Sequence, residues 1–236
     1  MSQFVRTYQE AEILVASRPW WYHRFEIYPG IVTPGIYDPG STLKALDLPR
    51  DMAGWRVLEI GPADGYFTKQ LTLRGADVTA ADYMPKDFCG FAVMEALHGS
   101  AFKFVQCNVF DITKQGFRPF DLVICLGVLY HLPDMLRALH LLRMVCRGIF
   151  ILETLVSMEM GKEPFARYHP AATLNNDPTN FWSPNIPCVE AMLRDSGFVV
   201  ERHQVLSDSG ASARVAFWSS LAPDDGRTIK TDLAYS

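Results

Sequence analysis

Short apolar runs alternate with longer amphipathic stretches through the middle of this 236-residue chain. The runs are rich in Val, Ile and Leu, as strands buried on both faces are, and the stretches between them have helical spacing. The predicted strands are 57–60, 77–81, 102–107, 121–126, 149–155, 198–206 and 213–219. The predicted helices are 1–18, 43–48, 67–74, 88–98, 133–146 and 189–195. Such alternation predicts a parallel sheet covered by helices on both faces.

The last two predicted strands follow each other with only a short polar turn between them, which favours an antiparallel hairpin. We therefore predict a Rossmann-like, doubly wound α/β fold, with a mostly parallel seven-stranded sheet and a final antiparallel hairpin strand. Ligands of such sheets bind at the carboxyl ends of the strands.

Three segments lie outside this alternation, and they set the predicted domain organisation. Residues 1–52 form an N-terminal helix and an aromatic lid segment, residues 53–222 form the main domain, and residues 223–236 form a polar tail. Within the main domain, 157–186 is a long irregular loop, which in a compact domain is usually functional or disordered. Its aromatic residues favour an ordered loop that covers the active site.

The aromatic stretch that begins at Trp20 has two interpretations. It either covers one edge of the main domain, or it forms a lid over a bound ligand with His23, Arg24 and Tyr37 pointing inward.

Composition narrows the function classes. A net charge of −4 and a pI near 5.9 provide no global basic field, so nucleic-acid binding would need a local patch. Five scattered cysteines without a Cys-x-x-Cys pair are typical of reduced thiols and favour a cytoplasmic protein. We expect no targeting segment and no membrane span. The six histidines are scattered with no pair at i, i+4, so we expect no metal site.

The turn after the first strand of the main domain carries the first functional signal. Gly61-Pro-Ala-Asp-Gly65 joins an apolar strand to a helix, which is the layout of a nucleotide site. The pattern departs from Gly-x-Gly-x-x-Gly because Pro62 and Ala63 stand between the glycines. Fewer flexible, amide-bearing positions suit a pyrophosphate poorly, so the turn favours an adenosyl sulfonium over a dinucleotide. By itself the turn is also compatible with a mere tight connection.

Polar side chains follow the ends of successive strands: Asp64 after the first, Asp82 after the second, Asn108 and Asp111 after the third. Asp82 lies 21 residues beyond Gly61 (82 − 61), close to the spacing of roughly 20 at which an acid meets the ribose hydroxyls of a nucleoside. As alternatives, Asp82 could be a helix N-cap and Asn108 a turn residue.

Several motifs together resemble the class I S-adenosylmethionine-dependent methyltransferases. They are Glu59-Ile-Gly-Pro-Ala-Asp-Gly-Tyr66, Asp82, the strand 120–132 and the strand 150–155. Within that superfamily, Gly127-Val-Leu-Tyr-His131, Leu152-Glu-Thr-Leu-Val156 and Arg214 resemble the bacterial tRNA wobble-uridine carboxymethyltransferase and its methyltransferase-like relatives.

The resemblance implies S-adenosylmethionine as cofactor and a role for each matching position. The glycines of the turn would flank its methionine end, Asp82 would hold the ribose, Asn108 would lie by the adenine, and the strand end before Tyr130 would line the sulfonium. The implied cofactor-binding residues are Glu59, Gly61, Pro62, Asp64, Gly65, Tyr66, Asp82, Tyr83, Asn108, Val109, Leu126 and Tyr130.

The carboxymethyltransferase uses carboxy-S-adenosylmethionine, whose added carboxylate needs cationic or hydroxyl partners. Tyr130 and Arg214 match the tyrosine and arginine that supply them, whereas the family's N-terminal lysine has only Arg24 as its nearest counterpart. The expected catalytic residues are Tyr130, His131 and Arg214. A hydroxyl nucleophile would also need a proton acceptor, for which the candidates are His131, His169 and Glu153.

Three functions remain open from the sequence. The first is methyl transfer from S-adenosylmethionine to an unidentified small metabolite or to a tRNA wobble uridine. The second is carboxymethyl transfer from carboxy-S-adenosylmethionine. The third is a non-catalytic nucleoside-binding or interaction module, in which the aromatic N-terminal segment would form a homodimer surface.

Overall fold

A computed structural model describes residues 6–159, 161–223 and 235. Nearly all of the predicted polar tail, 223–236, and the start of the predicted N-terminal helix lie outside the described residues. The chain divides into two compact units, 1–108 and 109–236.

From residue 6 onward, the first unit has four helices and five strands. They are α1 (Tyr8–Ala16), β1 (Glu26–Tyr28), β2 (Ile31–Val32), α2 (Pro39–Leu46), β3 (Arg56–Ile60), α3 (Tyr66–Leu73), β4 (Asp77–Asp82), α4 (Phe91–His98) and β5 (Lys103–Gln106).

Among its described residues up to 223, the second unit has two α-helices, two short 3-10 helices and six strands. In chain order they are a 3-10 helix (Val109–Gln115), β6 (Phe120–Leu126), a 3-10 helix (Leu129–His131), α5 (Met135–Val145), β7 (Cys146–Ser157), β8 (Ala166–Tyr168), β9 (Trp182–Pro184), α6 (Ile186–Asp195), β10 (Phe198–Asp208) and β11 (Ser212–Leu221).

The main sheet has seven strands; those of the first unit run in the order β3-β4-β5 and those of the second in the order β10-β11-β7-β6. In the first unit β3, β4 and β5 pair in parallel, and in the second unit β6 and β7 do the same. Strand β11 runs antiparallel to both β7 and β10. This confirms the predicted Rossmann-like fold with its final antiparallel hairpin.

Most predicted boundaries differ from the structure by one to four residues; the helix predicted over 43–48, for example, is α2 at Pro39–Leu46, and two further shifts have a local cause. The helix predicted over 88–98 begins only at Phe91, because Gly90 is held in a turn by a side-chain acceptor from another part of the unit. The strand predicted from 149 begins at Cys146, directly after α5, since Cys146 already pairs with Phe120 of β6.

The N-terminal aromatic segment is built into the core of the first unit. Helix α1 begins with a capping box in which Thr7 and Glu10 bond each other's backbone amides. Beyond it, Trp21 and Ile27 are buried in a cluster with residues of α1 and α4. The indole Nε1 of Trp21 donates to the Val15 carbonyl at 3.1 Å.

The loop 157–186 is ordered in its described part, and one amide side chain organises it. Asn185 caps α6 by accepting from the Cys188 amide at 3.0 Å, and its Nδ2 donates to the carbonyls of Gly161 and Glu163. Strands β8 and β9 pair antiparallel within the same loop. Because Asn185 is 2% exposed, these bonds are sheltered from water and fix the loop to the start of α6.

Replacing Trp21 by alanine should lower the free energy of unfolding by roughly 3–5 kcal/mol, because a fully packed indole is lost from the core. Its neighbour Trp20 is 48% exposed, so Trp20→Ala is a matched control that should cost less than about 1 kcal/mol. Urea unfolding of the two variants measures the difference. Equal losses would contradict the placement of the segment in the core.

Candidate functional site

In the first unit, the turn between β3 and α3 adopts a backbone that favours glycine. Gly61, Ala63 and Gly65 all have positive φ, at 72°, 49° and 79°. Left-handed residues that alternate with their neighbours curl the chain into a concave turn. Ala63 takes this conformation although it has a Cβ, which shows that the surrounding structure imposes it.

The two glycines of the turn are needed for their positive φ, and Gly65 also for its lack of a side chain. Their own amides are used inside the unit, since Gly61 N donates to Ala81 O and Gly65 N donates to Pro62 O. A Cβ on Gly65 would collide with side chains of α4, Met94 and Phe91. Gly65 therefore lets α4 pack directly beneath the turn.

The Glu59 side chain is buried near the end of β3, just before this turn. It is 2% exposed and accepts a hydrogen bond from the Thr68 hydroxyl of α3. Burial raises the pKa of Glu59, the Thr68 hydrogen bond opposes the rise and nearby Asp82 adds to it, so that the pKa is about 8. The Glu59 carboxyl is therefore mostly protonated near pH 7 and would ionise if a cation came close.

Asp82 closes β4 at the carboxyl edge of the sheet. Its Oδ1 accepts from the Met84 amide at 3.0 Å, and burial raises the pKa of Asp82 above its ordinary value. The next residue, Tyr83, is 63% exposed, and its carbonyl accepts from Gln106 Nε2. Asn108 is exposed after β5. Glu59, the turn and Asp82 thus lie at the ends of the adjacent strands β3 and β4.

Asp64 has an unexpected environment. Its side chain is completely buried, and both carboxylate oxygens accept backbone amides of the first unit. Its neighbour Pro62 is buried and Tyr66 is half-buried.

In the second unit, Arg214 of β11 is held by two side chains. Its Nε and Nη2 donate to the two carboxylate oxygens of Glu153 at 2.5 and 2.6 Å, and its Nη1 donates to the Tyr130 hydroxyl at 2.8 Å. Glu153 is 2% exposed and Tyr130 is 7% exposed. A bidentate arginine–carboxylate pair of this kind fixes the guanidinium in one orientation.

Gly127 packs against this cluster. Gly127 follows β6 with a φ of 74°, and a Cβ there would lie 3.0 Å from Arg214 Nη2. Burial raises the pKa of Tyr130, while the Arg214 charge opposes the rise. The hydroxyl of Tyr130 therefore stays protonated at physiological pH. Val109 is buried and Leu126 is half-buried.

His131 is oriented by the loop 157–186. Its Nδ1 lies 2.9 Å from the Thr179 hydroxyl and 3.2 Å from the Thr179 carbonyl, and Asp177 in turn accepts from the Thr179 hydroxyl at 2.7 Å. Burial lowers the pKa of His131, so it is mostly neutral near pH 7. A carbonyl can only accept, so a proton on Nδ1 would leave Nε2 as a proton acceptor.

The other candidate bases are engaged differently. Glu153 is committed to Arg214, and His169 Nε2 lies 2.7 Å from the Ser183 hydroxyl of β9. Of the three, the geometry favours His131. Of the inward-pointing residues considered for the aromatic segment, His23 is buried, Arg24 is exposed, and the Tyr37 hydroxyl is bonded to Thr42.

Sequence reasoning missed the residues that orient these groups. Thr68 holds Glu59, Thr179 holds His131, and Gly90 donates to Asp64 at 2.7 Å. Only Thr68 carried a usable signal, since it lies three residues after Gly65 in the first turn of α3.

None of the described helices is long and apolar enough to cross a membrane. Across the described residues, no three His, Cys, Asp or Glu side chains come together in a way that could hold a metal ion.

Comparison with curated proteins gives relatives of two kinds. The chain is 29% identical over 133 residues to the ubiquinone biosynthesis O-methyltransferase of Pseudomonas syringae pv. tomato, covering 55% of this chain and 54% of that protein. It is 28% identical over 200 residues to the tRNA U34 carboxymethyltransferase of Syntrophotalea carbinolica, covering 79% of this chain and 58% of that protein. The chain thus spans little more than half the length of these relatives.

Among solved structures, the N-terminal domain of EvdMO1, determined in the presence of SAH and D-fucose, has a similar fold. The TM-score is 0.69 at 16% identity, with 94% of this chain and 99% of that chain covered. The methyltransferase domain family matches residues 37–223, which is most of the chain. The chain therefore belongs to the methyltransferase domain family.

Proposed function

We propose that this protein is a methyltransferase that uses S-adenosylmethionine. The observation that carries the proposal is the shared position of the concave turn after β3 and of Asp82 after β4, at the carboxyl edge of two adjacent parallel strands. That edge is where open α/β sheets bind nucleosides. Membership of the methyltransferase domain family supports the choice of an adenosyl sulfonium.

The residues present fit such a cofactor. Asp82 offers a carboxylate to the two ribose hydroxyls, and the concave turn at Gly61–Gly65 accommodates the methionine end. Glu59 lies beside that turn and is ready to ionise next to the cofactor's positive charge. When bound, the sulfonium supplies an already activated methyl group, so the protein has mainly to align the acceptor and exclude water.

For a hydroxyl acceptor, His131 is the residue that we assign as proton acceptor. Thr179 and Asp177 fix its ring, and its lowered pKa keeps it neutral and able to take a proton. Tyr130 and Arg214 form a rigid polar cluster that would position the acceptor or the transferred group.

We propose a small metabolite as acceptor in preference to a tRNA wobble uridine. The net charge is −4, and the exposed Arg167 of the loop 157–186 lies 3.5 Å from Glu159, which neutralises it. A tRNA surface needs uncompensated cations to meet phosphates. The five free cysteines support the further proposal of a cytoplasmic protein.

Carboxymethyl transfer is a second candidate, and the hydrogen bond between Arg214 and Tyr130 favours it. The bidentate pairing with Glu153 counts against it, because the buried carboxylate already neutralises the guanidinium. A second carboxylate would meet no net positive charge in this cluster. A non-catalytic module that dimerises through its aromatic segment is a third candidate, and the burial of Trp21 and Ile27 within one unit gives it little support.

Asp82→Ala should weaken binding of S-adenosylhomocysteine by roughly 10-fold to 100-fold, because two charge-assisted hydrogen bonds to the ribose would be lost. Asp77 begins the same strand at the opposite edge and is exposed, so Asp77→Ala is the matched control and should bind normally. Isothermal titration calorimetry measures both. Absence of binding by the wild-type protein at sub-millimolar ligand would refute the proposed cofactor.

Binding of S-adenosylhomocysteine should release a proton from Glu59. The ligand carries a positively charged α-ammonium group at its homocysteine end, and that charge beside the turn would prefer the ionised Glu59 carboxylate, so affinity should rise with pH, by at most about tenfold per unit, and level off above pH 8. Glu59→Gln cannot ionise and should lose this part of the pH dependence. Titrations of both proteins at pH 6 to 9 give the two affinities at each pH. Because both proteins bind the same ligand, the ratio of their affinities is free of the ligand's own ionisation. Identical pH profiles would argue against a role for Glu59.

Mass spectrometry of the ligand that co-purifies with the protein separates the first two candidates. Because Glu153 neutralises Arg214, we expect unmodified S-adenosylmethionine or S-adenosylhomocysteine. Glu153→Gln exposes the Arg214 charge and should shift binding toward carboxy-S-adenosylmethionine. Recovery of the carboxylated cofactor from the wild-type protein would instead establish the second candidate.

A further inference from the structure

The Asp64 side chain connects three stretches of the first unit that are distant in sequence. Oδ2 accepts from the amides of Tyr22 and His23 at 2.9 and 2.6 Å, and Oδ1 accepts from the amide of Gly90 at 2.7 Å. The side chain is 0% exposed. Amide bonds to a buried carboxylate are charge-assisted, so each is stronger than a bond between neutral groups.

Close packing around Asp64 leaves the aromatic segment little freedom. A Cβ on Gly90 would overlap the Trp21 ring, and a Cβ on Gly35 would overlap the His23 backbone. Gly90 therefore allows the Trp21 ring to pack against the start of α4, and Gly35 allows the later part of the segment to pack against the backbone of His23. The aromatic segment is therefore held by close packing as well as by the hydrogen bonds to Asp64.

The His23 side chain does not hydrogen-bond to Asp64, although the His23 backbone amide does. Its Nδ1 is buried without a hydrogen-bond partner and lies 3.5 Å from Asp64 Oδ2. Burial lowers the pKa of His23 to about 3, so the imidazole is neutral at physiological pH. The rings of Tyr22, Tyr37, Tyr66 and Phe67 surround it. Backbone amides, and not a cation, therefore stabilise the Asp64 charge.

We propose that Asp64 is a positioning residue that fastens the aromatic segment, residues 20–37, to the turn at Gly61–Gly65, so that cofactor binding requires the fastened segment. The proposal rests on the proposed function for the identity of the cofactor. It assigns Asp64 a role through the backbone in place of direct contact with the ligand. Tyr22 and His23 lie on the segment, and Asp64 lies within the turn, so opening the segment removes the support of the turn.

Asp64→Asn tests this directly. Both oxygens of Asp64 accept backbone amides, so an asparagine in either orientation must turn its NH₂ group toward an amide donor. In the ligand-free variant, hydrogen exchange at Tyr22, His23 and Gly90 should be faster than in wild type. The affinity for S-adenosylhomocysteine should fall by roughly tenfold or more.

Asp208→Asn is the matched control, because Asp208 also accepts a backbone amide, that of Gly210, but in the exposed turn between β10 and β11. This variant should keep wild-type exchange at Tyr22, His23 and Gly90 and wild-type affinity. Unchanged exchange at those amides in Asp64→Asn would overturn the proposal. So would faster exchange together with an affinity within about twofold of wild type.

If Asp64→Asn does not fold, wild-type protein supplies the second measurement. S-adenosylhomocysteine should slow exchange at Tyr22, His23 and Gly90, since binding favours the fastened segment, and no slowing would overturn the proposal.

Failure of wild type to bind the ligand at all would contradict the proposed function and with it the coupling. Exchange in the ligand-free variant would still show whether Asp64 holds the segment, so the two failures are distinguishable.

Discussion

A single buried carboxylate organises the first unit of this protein. Asp64 lies in the turn after β3 with its side chain 0% exposed, and its oxygens accept from the amides of Tyr22, His23 and Gly90. A buried charge is costly unless it is fully hydrogen-bonded, so these amides must stay in place for the unit to be stable. The start of α4 and the path of the aromatic segment follow from that requirement.

The second unit is organised by a different electrostatic device. Half-buried Arg214 of β11 and buried Glu153 of β7 form a bidentate pair, and Arg214 also donates to the Tyr130 hydroxyl. Removing Arg214 would leave the buried Glu153 charge uncompensated, which costs several kcal/mol. The pair therefore makes the polar cluster rigid, and it also sets its net charge to zero. That neutrality is the physical reason for preferring methyl over carboxymethyl transfer.

The fold could be predicted from the sequence because buried parallel strands read as apolar runs, and the runs ending at Ile60 and Leu126 are followed by turn glycines. Positions of strand-end acids such as Asp82 follow from the same pattern. The partners of those acids could not be predicted. Whether Asp64 faces a ligand or the amide of Gly90 depends on packing between segments far apart in sequence, which periodicity does not encode. For the same reason Glu153 resembled a candidate base until its bond to Arg214 was visible.

The most direct test of the account is a crystal structure of the protein with S-adenosylhomocysteine. We predict that the ribose hydroxyls lie within hydrogen-bond distance of the Asp82 carboxylate, with the homocysteine end against the turn at Gly61–Gly65. Asp64 should keep its bonds to the amides of Tyr22 and Gly90. A ligand bound away from Asp82, or in direct contact with the Asp64 carboxylate, would contradict the account.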